Sequence, residues 1–183
     1  MQGVLGELRV VRHGLALSLV AVLYGWGLGI VFGVGEDWLR EGTLARAEAA
    51  RALYLEKAKG DPAAATALIK RMDETCWRYL QRAHLHAGGI GGVALGATLL
   101  LGLLSGPTGL RALTSGLLGF GAVGYPLFWM LAALRAPGLG ATALAKESLR
   151  WLAMPSAGAL VVGAVLTLLL VVRRLYAPAR PGA

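Results

Sequence analysis

The chain has 183 residues, 56% hydrophobic and 15% charged, with a formal net charge of +8 and one cysteine; its mean hydropathy is +0.63 and its pI about 10.3. That composition excludes an ordinary soluble domain, and the lone Cys76 excludes an internal disulfide framework or a CxxC metal or redox motif. The positive charge flanks apolar runs, where basic residues meet anionic headgroups, so no nucleic-acid partner is expected.

Charge-free apolar runs at residues 14–35, 87–104, 112–134 and 152–172 each reach the roughly 18–20 residues that carry a helix across a hydrocarbon layer. The expected fold is all-α: a four-transmembrane-helix bundle forming a single integral membrane domain over residues 1–183. The first run is too long for a signal h-region and lacks a convincing A-x-A site before Glu36 and Asp37, so it reads as a retained span.

Residues 36–86, between spans one and two, form the only sizeable polar segment and read as an extramembrane helical hairpin. In the first arm Ala45, Ala49, Ala52 and Leu53 recur at helical spacing, and the arm ends at Gly60. "DPAA" then starts a helix, with Asp61 as N-cap and Pro62 at the first helical position. The second arm carries Leu68, Met72, Cys76, Tyr79 and Ala83 on one stripe, and nothing breaks it before His84. Arm and second span are therefore expected to be one helix.

"SGPTG" joins spans two and three so tightly that they must be antiparallel neighbours. Pro126 is expected to kink span three, a kink that is either structural only or shapes a cavity near Tyr125. Pro137 and the following glycines are expected to end that span, with "ATALAKESLRW" as a short interfacial helix anchored by Trp151. Pro155 and Ser156 lie near the hairpin-side end of span four, and the basic tail, residues 173–183, reads as disordered.

The basic flanks do not decide orientation: Arg9, Arg12, Arg111, Arg173, Arg174 and Arg180 face Arg40, Arg78, Arg82, Arg135, Lys146 and Arg150. The first helix breaks the tie, because Arg9 and Arg12 precede it and Glu36 and Asp37 follow it. A bacterial inner membrane with cytoplasmic termini and an outer hairpin is the expected placement.

The chain holds 27 glycines. Gly25, Gly29 and Gly33 in span one and Gly88, Gly92 and Gly96 in span two each form overlapping GxxxG motifs, a glycine zipper. Such strips let backbones approach closely, which drives helix association in lipid. The simplest expectation packs the two strips together; the other turns one strip outward to a membrane protein partner or a second copy.

No Asp, Glu, Lys or Arg falls near the middle of a span, which counts against an ion-coupled transporter. A polar ring is expected instead at the hairpin-side interface, including His84, His86, Glu36, Asp37 and Glu147. His84 and His86 are candidate haem or transition-metal ligands, and the three carboxylates are candidate assisting groups. Residues two apart on a helix diverge by about 200°, so the pair cannot share one iron. His13 lies about 30 Å away at the other membrane face. His84 is expected to face span one, and His86 the hairpin or span three. The alternative is that both histidines are interfacial polar residues. Nucleophile-elbow and P-loop motifs are absent.

"RAHLHAGG" opening span two, "GYPLFW" in span three and "AKESLRWLAMPSAG" leading into span four resemble small bacterial four-helix inner-membrane proteins without an assigned function. The H-x-H is also similar to histidine-bearing helices of the haem–copper oxidase class. That class needs further histidines on other spans, which this chain lacks, so the similarity implies at most a ligand role for His84 or His86. Three functions are expected in order: a non-catalytic subunit or accessory factor of a membrane assembly, a small haem- or metal-binding redox protein, and a glycine-lined channel.

Overall fold

The structure is a computed structural model that describes residues 2–176. Those residues form seven helices: α1 (Gln2–Val10), α2 (Arg12–Ala49), α3 (Arg51–Lys57), α4 (Pro62–Leu103), α5 (Thr108–Leu139), α6 (Thr142–Ser148) and α7 (Arg150–Tyr176). Four of them, α2, α4, α5 and α7, are long and apolar enough to cross a membrane. The part of the basic tail from residue 177 onward lies outside the described residues.

Helix α5 is the hub. It packs on α2, α4 and α7, and α2 also packs on α4. Small residues make these approaches possible: a Cβ on Gly119 would meet the Gly14 carbonyl oxygen at 2.8 Å, and one on Gly124 would meet Ser156 Cβ at 2.8 Å. One buried cluster (Val11, Ala21, Ala94, Leu101, Leu118, Ala122) fills the α2–α4–α5 interface. A second, around Cys76, Leu80, Phe128, Ala132 and Leu149, joins the polar half of α4 to α5, α6 and α7.

Asp61 caps α4 by accepting from the amides of Ala63 and Ala64 (2.8 and 3.2 Å), with Pro62 at its first position. From there α4 runs unbroken for 42 residues, past both histidines. Helix α2 behaves differently. At Gly35 its backbone leaves helical geometry (φ −142°, ψ 26°), so an apolar and a polar helix meet there at a kink.

A further break at Ala50 separates α2 from α3 (φ −98°, ψ 18°). Ala45, Ala49, Ala52 and Leu53, the expected stripe, are exposed, because they lie on the opposite face of this arm, about 200° from the buried one. Thr43, Ala47 and Tyr54 are buried in their place, and Ala47 and Tyr54 pack with Ala65 and Ile69 of α4.

Pro137 does not end α5. The helix continues to Leu139 and is stopped by Gly140, whose φ of +60° suits a residue without a side chain. Pro126 lies inside the same continuous helix and is buried. The short helix expected after α5 is present as α6, and Trp151 is 69% exposed beside it.

Candidate functional site

On α4 the two histidines address different neighbours. His84 donates Nδ1–H to the carbonyl of Gly25 in α2 at 2.8 Å. Its ring stands edge-on to Phe32, with centroids 5.5 Å apart. Gly29 makes room for it: a Cβ there would meet His84 Cε1 at 3.0 Å. A carbonyl can only accept, so the neutral ring carries its proton on Nδ1 and presents a lone pair on Nε2.

His86 turns the other way, to α5. Its ring lies 5.1 Å from Tyr125 and 6.4 Å from Trp129, centroid to centroid. Tyr125 packs in an aromatic cluster with His86, Phe128 and Trp129. Arg82, one turn before His86, places its guanidinium 4.9 Å above the Trp129 ring and 5.7 Å from that of Tyr79. His86 Nδ1 and Trp129 Nε1 are buried there without a hydrogen-bond partner.

The candidate carboxylates are engaged elsewhere. Glu36 pairs with Arg40 and Glu147 with Arg150, each at 3.4 Å. Asp37 lines an open groove with Arg40, Glu41, Leu44 and Asp73. Among the described residues, no group of three His, Cys, Asp or Glu side chains converges in a way that could hold a metal ion. A ligand role for His84 would rest on Nε2 of a single ring.

The glycine strips divide. Gly25 is the close-contact residue, since a Cβ on it would meet the Gly88 amide nitrogen at 2.5 Å, and Gly91 of α4 complements it against Ala21 and Val22 at 3.0 Å. Gly33, Gly88, Gly92 and Gly96 have open space where a side chain would go. The α2–α4 contact uses Ala87, Gly91 and Ala94, one residue off the expected register, because His84 and Ala87 fix that face of α4.

Two polar residues escaped the sequence reading. Asp73 is nearly buried and accepts from Thr43 Oγ1 at 2.7 Å and Arg40 at 3.2 Å. The Asp73 bond is the main reason the Arg40 guanidinium holds its proton more tightly than usual. Arg111, expected among the exposed flanking charges, is buried. It donates to the carbonyls of Leu101 and Gly102 at 2.8 and 2.9 Å and pairs with Glu7 at 2.8 Å. Those carbonyls are orphans at the end of α4, so Arg111 caps the helix that precedes its own. Asp73 was discoverable, since Ala65, Ile69, Asp73, Cys76 and Leu80 recur at helical spacing.

No protein-family model, no curated protein and no solved structure matches this chain.

Proposed function

We propose that the chain is a multi-pass protein of a bacterial inner membrane, its four long helices spanning the bilayer, its termini cytoplasmic and residues 36–86 projecting outside as a helical hairpin. Its role is that of a non-catalytic subunit or accessory factor of a membrane assembly. The observation that carries this reading is the direction of Gly92 and Gly96. They lie on an exposed face of α4 beside Leu85, Val93 and Leu103, which are 66%, 74% and 70% exposed. A face that meets only lipid gains nothing from glycine, whereas a face that meets another helix gains close approach.

The test is the size and composition of the particle extracted gently from native membranes. Wild-type protein is expected in a stoichiometric assembly, with itself or another membrane protein. Gly92→Leu/Gly96→Leu is expected to release it as a folded monomer. A wild type that is already monomeric, or a double variant of unchanged size, overturns the reading.

One observation favours a second reading, a small haem- or metal-binding protein: the Gly25 bond fixes the His84 tautomer that leaves Nε2 free, the arrangement common among ligating histidines. Absorption spectra before and after dithionite, with metal analysis on the same sample, test it. A Soret band or stoichiometric metal lost in His84→Ala supports it, and colourless, metal-free protein from replete cells overturns it.

A further inference from the structure

Helices α4 and α7 both lie against α5, and between them runs an open apolar groove of about 310 Å³ lined by Ile90, Val93, Ala94, Leu118, Leu160, Val161 and Ala164. On α4 the wall formed by Ile90, Val93 and Ala94 continues by helical steps to His86 and Arg82. On α7 the wall formed by Leu160, Val161 and Ala164 continues in the same way to Ala157, Ala153 and Arg150. By that spacing Arg82 and Arg150 stand beyond one end of the groove on its two walls, with the Trp129 indole under Arg82.

The chemistry at that end lacks an acceptor. Arg82 takes part in none of the five ion pairs among the described residues. Arg150 has only a 3.4 Å contact with Glu147, both side chains being at least two-thirds exposed. Beneath Arg82 the Trp129 indole N–H and His86 Nδ1 are unpartnered but closed off by neighbouring atoms, so the exposed guanidinium is the group a ligand reaches. A phosphodiester supplies both the negative charge and the oxygen acceptors, and its acyl chain suits the groove below.

We infer that the α4–α7 groove binds an anionic phospholipid, its phosphate held at the exposed Arg82 guanidinium and an acyl chain lying along Val93 and Val161. The groove adjoins the Gly92–Gly96 face and shares Val93 with it, but the inference does not rest on the assembly reading.

The test uses the full chain, purified in detergent and stripped of lipid. Thermal midpoints are measured with dioleoyl-phosphatidylglycerol, with dioleoyl-phosphatidylcholine and with glycerol phosphate, and bound lipid is counted by native mass spectrometry. Phosphatidylglycerol is expected to raise the midpoint by about 5 °C or more at saturation, with one lipid retained per chain. Phosphatidylcholine should give less than half that shift and glycerol phosphate almost none. Arg82→Gln should abolish the preference while Arg82→Lys retains most of it. Val161→Trp, at a position 65% exposed, should block the groove and remove the response. Equal shifts with the two lipids, full protection by glycerol phosphate, or an unchanged response in either Arg82→Gln or Val161→Trp would overturn the proposal.

Discussion

The Nδ1 atom of His84 and the carbonyl oxygen of Gly25, 59 positions apart in the chain, meet at 2.8 Å across the α2–α4 interface. The bond is possible because Gly29 leaves room for the imidazole and Gly25 lets the α2 and α4 backbones approach. His84→Ala is expected to lower stability by about 1–2 kcal/mol, from the lost hydrogen bond and the lost edge contact with Phe32. Unfolding of the detergent-solubilised protein measures it, and an unchanged midpoint would show that the ring does not hold the helices together.

Glycine substitutions should separate by position. Gly25→Ala drives a Cβ into the α4 backbone at Gly88 and is expected to cost about 1–3 kcal/mol. Gly96→Ala meets nothing in this chain and gains helix propensity, up to about 1 kcal/mol. The contrast is read on isolated protein by thermal unfolding.

At the end of α4, Arg111→Ala leaves the Leu101 and Gly102 carbonyls without their donor and should destabilise by about 2–4 kcal/mol. Arg111→Lys should recover little, because one ammonium cannot reproduce the fork that reaches both carbonyls. Glu7→Gln is expected to change stability by less than about 1 kcal/mol, since Glu7 is more than half exposed. Chemical denaturation of the three variants tests this order.

Asp73→Ala should cost about 1–3 kcal/mol by leaving Thr43 without its acceptor in a buried position. Asp73→Asn, which keeps an acceptor oxygen for Thr43 and loses only the ionic part of the Arg40 contact, should recover most of the loss. An equal loss in both variants would assign the stabilisation to charge.

Burial pushes the Cys76 thiol from 9.0 up to about 12 and the Tyr54 hydroxyl from 10.0 up to about 12. Both groups stay protonated in the fold at pH values where the unfolded chain has released its protons. The folded state thus binds more protons, and stability falls as pH rises from about 9 towards 12. Cys76→Ala is expected to flatten the first part of that decline. Maleimide labelling of native protein at pH 8 should be slow and should accelerate with denaturant, which makes the thiol a reporter of local opening.

How far the sequence revealed this molecule depends on the residue type. Charge-free runs located the four long helices, and "DP" located the start of α4, because hydropathy and capping are local. The side on which each histidine lies was also legible, since a two-residue step on a helix fixes their divergence. The stripe of the polar segment was assigned to the wrong face because the exposed Ala45 and Ala49 and the buried Ala47 are the same residue type, and alanine faces give weak contrast. The GxxxG spacing could not tell which glycines meet a neighbour, since Gly91 and Gly92 differ only in the rotation of α4. Arg111 was missed as a cap because its acceptors lie across the turn, a relation set by tertiary approach.

The two helices that meet at His84 differ in continuity. Helix α2 bends at Gly35, whereas α4 passes the same level without interruption and extends about 63 Å, at 1.5 Å for each of its 42 residues. The Gly25–His84 bond ties the uninterrupted helix to the apolar half of the bent one, ten residues before the bend.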